Sequence, residues 1–161
     1  MSTTAINLSH RRPLLTVETV VAMLDMDKIA VFENCDSGRL AWAFDLSTPD
    51  SSRRELRIWR GSVLAWREAD GADPAGTIPE ADVFVSIIPP LNPRSSDLAR
   101  RFGISRDHLR SLIDAREIAI ASAPTQSQGI NAACRLLRSS VSSFLRRRRV
   151  GWKNPLTIPT R

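Results

Sequence analysis

The sequence predicts an α+β chain, mainly helical, made of two tandem copies of one small unit of short helices and a β-hairpin. Three observations predict it: an internal match at one fixed offset, a pair of short amphipathic helices in each copy, and alternating apolar stretches after each pair. At 161 residues, the chain suits one ordinary domain or two very small ones.

The internal match comes first because a missed repeat misassigns the whole fold. Shifted by 78 residues, the segment from Leu14 to Trp66 falls on the segment from Asn92 to Phe144 without a gap. Identities are few, but residue types agree where packing needs them. Val20 meets Leu98, Leu24 meets Phe102, Met26 meets Ile104, Val31 meets Leu109 and Leu40 meets Ile118. Further on, Arg57 meets Arg135, Ile58 meets Leu136, Arg60 meets Arg138, Val63 meets Val141 and Trp66 meets Phe144.

In the second copy, Ser95, Ser96 and Asp97 are cap-type residues heading a short helix with Leu98 and Phe102 on one face. Gly103 ends it, as a left-handed glycine commonly does. Ser105 caps a second helix from Arg106 to about Ala115, with Leu109, Leu112 and Ile113 inward. Two short helices joined by a glycine turn make a helix-turn-helix. Ile118 and Ile120 then alternate, as do Ala132, Cys134 and Leu136, around the polar tip Pro124 to Gly129, which reads as a β-hairpin or wing. A final helix from Ser139 to about Arg149 turns Val141, Phe144 and Leu145 inward.

The first copy repeats the plan. Thr16 caps Val17 to Leu24, and Asp27 caps a helix reaching about Ser37, before Gly38. Trp42, Phe44 and Leu46 alternate on one strand and Leu56 and Ile58 on the next, with Pro49 to Ser52 at the tip. The boundaries follow: unit 1 over 1–66, a linker over 67–82 with Asp, Gly, Ala and Pro between Arg67 and Pro79, unit 2 over 83–149, and a basic, flexible tail over 150–161. The apolar run Val83 to Ile88 has only a feeble counterpart near Ile6 and Leu8, and reads as a strand or packing arm without a place.

Composition bounds the partners. The net charge is +6 and the pI about 10.8, which favours a polyanion, nucleic acid before an acidic membrane surface, with plain solubility an equal alternative. Residues 1–78 carry 9 basic and 11 acidic side chains, a balance of −2; residues 79–161 carry 14 and 6, a balance of +8. Cys35, Cys134, His10 and His108 form no metal-type spacing, so no zinc site is expected. No apolar run reaches the length of a membrane helix. The polar start without a secretory core points to the cytoplasm, associated with the nucleoid when bound to DNA. No cofactor, catalytic group or small-molecule substrate is expected: there is no tyrosine nucleophile, Ser-His-Asp set, paired carboxylate or phosphate loop.

The stretch Arg94-Ser-Ser-Asp-Leu-Ala-Arg-Arg-Phe-Gly-Ile-Ser-Arg-Asp-His-Leu-Arg-Ser-Leu-Ile-Asp-Ala resembles the opening of excisionase-type, MerR-like winged helix-turn-helix domains. Arg135-Leu-Leu-Arg-Ser-Ser-Val-Ser-Ser-Phe-Leu is similar to their closing strand and last helix. Leu15-Thr-Val-Glu-Thr-Val-Val-Ala-Met-Leu and Glu55-Leu-Arg-Ile-Trp-Arg-Gly-Ser-Val-Leu-Ala-Trp match the same two ends in the first copy. The resemblance implies that the second helix of a unit enters the major groove while the wing touches phosphate or minor groove. It implies a double-stranded DNA partner and a role as a transcriptional regulator or a recombination accessory factor, in a mobile element or phage. The sequence does not separate these roles. An adaptor that uses the same scaffold for protein contact is the alternative.

Within that frame, Arg106, His108 and Arg110 should point outward from the second reading helix, with Ser105 and Ser111 available to phosphates. An arginine fork can take guanine O6 and N7 together, about 1–3 kcal/mol of base discrimination. For His108 a surface or capping role is the preferred reading. Arg135 and Arg138 follow the wing as phosphate contacts or as a solvated strand face, and Arg146, Arg147, Arg148 and Arg149 read as a phosphate-binding arm. In the first copy the reading helix offers only Lys28 against Glu33 and Asp36, while the wing region carries Arg53, Arg54, Arg57 and Arg60. That copy is expected to bind through its wing, or to serve a homodimer or partner protein. Cys134, at the place of Leu56 in the first copy, is expected as a packed core thiol rather than a reactive one, Trp42 and Trp66 in the core or an interface, and Trp59 exposed, at a dimer surface. Two linked units would engage sites about one helical turn apart, with tethering raising the second unit's effective concentration.

Overall fold

The computed structural model describes residues 12–69, 75–122 and 134–151. The expected tip Pro124 to Gly129, Ala132, Ile6, Leu8, His10 and the tail charges Lys153 and Arg161 lie outside the described residues. The described residues form an α+β structure, mainly α, with seven α-helices and six short strands. In chain order these are β1 (Leu14–Thr16), α1 (Val17–Leu24), α2 (Lys28–Asp36), β2 (Ala43–Asp45), β3 (Leu56–Trp59), α3 (Arg60–Glu68), α4 (Glu80–Ile87), α5 (Ser95–Phe102), α6 (Arg106–Asp114), β4 (Ile120–Ser122), β5 (Arg135–Leu136), α7 (Arg138–Arg148) and β6 (Arg149–Val150). All strand pairs are antiparallel: one sheet runs β1-β3-β2-β6 and a second pairs β4 with β5.

The 78-residue offset reaches down to backbone conformation. Helices α1 and α5 match end to end at that offset, as do α2 and α6. The residue after the first helix is left-handed in both, Asp25 and Gly103, and so is the residue two beyond the second, Gly38 and Arg116. Asp27 and Ser105 cap equivalent helices with nearly identical dihedrals. Asp27 Oδ1 accepts from the Ala30 N–H at 2.8 Å and Ser105 Oγ from the His108 N–H at 3.0 Å, each satisfying an orphan amide of the first turn. The strand pair Thr16–Arg57 recurs as a bridge between Arg94 and Arg135.

Two details depart from the sequence reading. The cap of α5 is Arg94, without a side-chain bond; Ser95 to Asp97 already lie in its first turn, where Asp97 pairs with Arg100 at 2.6 Å. The run Val83 to Ile88 is neither strand nor arm. Its period fits a helix, α4, with Val83, Phe84 and Ile87 buried on one side.

The core explains why the halves do not sit apart. Successive strand residues point to opposite faces of a sheet, and here both faces are covered. Leu15, Ala43, Leu56 and Ile58 turn to one face and pack with Val20, Val31, Cys35 and Val63 of the first half. Leu14 and Phe44 turn to the other and join Val83, Phe84, Ile87, Leu98, Phe102 and Phe144 of the second half in one continuous core. Phe84 is the wedge, its ring 6.4 Å from that of Trp42 and 6.3 Å from that of Phe44. Strand β6, from the end of the second half, then pairs with β2 of the first through Ala43–Val150 and Phe44–Arg149.

Candidate nucleic-acid interface

Helix α6 follows α5 across the two residues Ile104 and Ser105 beyond the left-handed Gly103. Leu109 and Leu112 fix its inner side. Arg106 and Arg110, one turn apart, lie exposed together on the outer side beside Asp107, Ser111 and Asp114. No ion pair engages either arginine among the described residues. Ser111 bonds back to the Asp107 carbonyl at 3.0 Å, which leaves the lone pairs of its hydroxyl oxygen open.

His108 does not join the outward arginines. It is half-buried, and its Nε2 lies 2.6 Å from the Leu46 carbonyl in the first half. A carbonyl can only accept, so Nε2 carries the proton of this bond. Helical geometry sends residue 108 to the flank of α6 that meets the other half, which the periodicity of one unit alone cannot reveal.

The first-half cations divide. Arg53 is exposed at the hairpin tip. Arg54 makes a two-bond pair with Asp36 at 2.8 and 3.2 Å and lies over the Phe32 ring, so it covers α2. Lys28 pairs with Glu18 at 3.5 Å. Arg57, expected on the wing for phosphate, is 8% exposed. Its Nε donates to the Phe102 carbonyl at 3.1 Å and its Nη2 to the Gly103 carbonyl at 2.8 Å. The alternation did place Arg57 on the face opposite Ile58, but that face is covered by the second half. Arg60 is half-buried, with its Nε enclosed and without a hydrogen-bond partner.

The arginines of the last helix are also engaged. Arg146 pairs with Glu80 at 2.7 Å, and Arg147 and Arg148 each reach Glu117 at 3.5 Å. Arg148 also donates to the Asp45 carbonyl at 3.4 Å, and the Arg149 guanidinium stacks 3.5 Å above the Trp42 ring. The run expected to form a phosphate-binding arm is here a clamp onto α4, the end of α6 and the first half's sheet. Arg138 donates to the Pro89 carbonyl and Arg135, though exposed, to that of Asn92, both at 3.0 Å. Trp59, expected at the surface, is partly buried and donates to Ser86 Oγ at 2.8 Å, again between the halves.

Sequence reasoning missed Arg116, exposed where α6 ends. Its signal was the offset, since it stands where the first copy has the turn glycine Gly38. It also missed Glu80, Glu117 and Asn92, whose polar groups occupy arginines otherwise available to a ligand. Among the described residues, no three His, Cys, Asp or Glu side chains are placed to hold a metal ion, and no helix is long and apolar enough to cross a membrane.

No protein-family model and no curated protein matches the chain. Among solved structures, a weak likeness joins it to the DIP2311 protein of Corynebacterium diphtheriae, at 15% identity and a TM-score of 0.24. The match covers 83% of this chain but only 25% of that one. A likeness that slight bears on neither fold family nor function.

Proposed function

We propose that the chain is two tandem winged helix-turn-helix units that bind double-stranded DNA, with α6 as the reading helix. The observation that carries this is the exposed pair Arg106 and Arg110, without an ion pair among the described residues, on a Ser105-capped helix that follows α5 through a left-handed turn. The hairpin β2–β3, with Arg53 at its tip, supplies a wing. Binding to arbitrary duplex at low salt should weaken steeply as salt rises, because each neutralised phosphate releases counterions. Fluorescence anisotropy across a salt series measures this, and no binding at any salt would sink the proposal. Arg106→Ala combined with Arg110→Ala should cost about tenfold or more in preference for a selected site over random duplex. Regulator and recombination accessory factor remain the two roles this reading allows.

A second reading has its own support. On α2, Ile29 is 71% exposed beside Glu33, while Arg54 closes over Asp36 and Phe32. With Lys28 and Asp36 already paired, that surface is apolar at Ile29 and acidic at Glu33, which suits a protein contact better than phosphate. Ile29→Arg should leave DNA affinity unreduced if α2 serves a protein partner, which the same anisotropy titration tests.

A further inference from the structure

We infer that the two halves engage DNA as one rigid block, in which Arg57 and His108 are positioning residues setting α6 against the β2–β3 hairpin; this rests on the DNA-binding reading above. The two elements that would touch DNA come from different halves. Two polar contacts hold them together, and both arise from one strand pair.

The first contact is Arg57 on β3. Its guanidinium reaches the carbonyls of Phe102 and Gly103, where α5 ends and the turn to α6 begins. The last carbonyls of a helix have no intrahelical donors, and a cation there also meets the negative end of the helix dipole. Gly103, at φ +64°, adopts a conformation that favours glycine, and the Arg57 guanidinium packs directly over it, with its Nε 3.4 Å from where a Cβ would stand. The second contact is His108 on α6 to the Leu46 carbonyl, at the point where β2 runs into the hairpin tip. Leu46 is itself anchored, its N–H donating to the Glu55 carbonyl across the hairpin at 2.9 Å. Position and tilt of α6 relative to the hairpin are therefore set by side chains of the fold, with the apolar core and the β2–β6 pair behind them.

The consequence separates this arrangement from two tethered modules. Tethered modules accept a range of spacings, and their avidity depends on linker length. A block accepts one spacing, and the length of the connector between α3 and α4 is immaterial. The test is selection of bound duplexes from a random-sequence pool, with the intact chain, with R57Q, with H108A, and with a Gly/Ser stretch inserted after Ala69. The intact chain should enrich one contiguous motif of fixed internal spacing, and the insertion should change neither spacing nor affinity. R57Q and H108A should broaden the spacing and weaken the selected site by about tenfold, while binding to random duplex keeps its affinity. Half-motifs at variable spacing with the intact chain, or a spacing that shifts on insertion, would overturn the rigid block and leave DNA binding standing. Unchanged spacing in both R57Q and H108A would overturn the positioning roles. Should R57Q fail to fold, H108A and the insertion still decide. No enrichment and no low-salt binding would remove the DNA reading itself.

Discussion

Asp45 shows how a single carboxylate can hold the neck of the hairpin. Its Oδ1 accepts from the Ser47 N–H at 3.0 Å and the Glu55 N–H at 3.2 Å. Burial pushes this carboxyl up, but bonds from Ser47 and Glu55, with Arg54 nearby, outweigh burial and hold it below the ordinary 3.8. A group whose folded value is depressed adds stability above its unfolded value and loses it as pH falls. Asp45→Asn should therefore flatten the loss of stability below pH 3.8, and Asp45→Ala should cost roughly 1 kcal/mol at neutral pH; urea titrations across pH read both. The thiols differ in the same physical way. Desolvation, with Asp36 adjacent, pushes Cys35 up to about 12, whereas Cys134 is only half-buried. Native protein at pH 8 should present Cys134 to a thiol reagent first, with Cys35 reacting only on unfolding. Equal labelling rates for the two would contradict this.

At the scale of elements, what was legible in the sequence is what one unit determines by itself. The caps Thr16, Asp27 and Ser105, the turn glycine Gly103 and the inward leucines of α6 are local choices, and the helices they predict have the predicted starts. Illegible were the consequences of one unit lying against the other. Alternation marks Arg57 as opposite Ile58 without saying that the opposite face is covered. A run of four arginines looks like a solvated arm until Glu80, Glu117 and the Trp42 ring are found beneath it. The same limit hid β6, a two-residue strand with no pattern of its own. Its docking depends on Gly151, at φ +73°, where a Cβ would collide with the Cys35 carbonyl and stand 2.8 Å from the Gly38 amide nitrogen. Gly151→Ala combines that clash with an unfavourable backbone conformation. It should destabilise by about 1–3 kcal/mol, measured by chemical denaturation, and should release the backbone bonds of β6 to rapid hydrogen exchange.

For the whole molecule, the likeness between the halves and their cooperativity pull in different directions. Two copies joined only by a linker would unfold as two events, each core having its own midpoint. Here the second half's core is completed by Leu14, Trp42, Phe44 and Leu46 of the first, while Arg57, Trp59 and His108 carry hydrogen bonds across the same boundary. Unfolding one half alone would expose that apolar surface, at a cost of about 25 cal/mol per Å², and would take the Phe102 and Gly103 carbonyls from Arg57, leaving it only Leu56 and Glu55 of its own half. An intermediate with a single folded half should therefore stay unpopulated. Three of the four tryptophans, Trp42, Trp59 and Trp66, belong to the first half, whereas far-ultraviolet circular dichroism follows helices of both. Urea unfolding followed by tryptophan fluorescence and by circular dichroism should give coincident single transitions. A fluorescence midpoint displaced from the helical one would mean that the halves unfold separately, and the rigid placement of α6 against the hairpin would lose its mechanical basis. Arg57→Ala sharpens the comparison, because it cuts the boundary without touching the first half's own core. It should lower stability by about 1–3 kcal/mol, the cost of leaving the Phe102 and Gly103 carbonyls without their donor, while the two transitions remain coincident, since the shared apolar core still joins the halves.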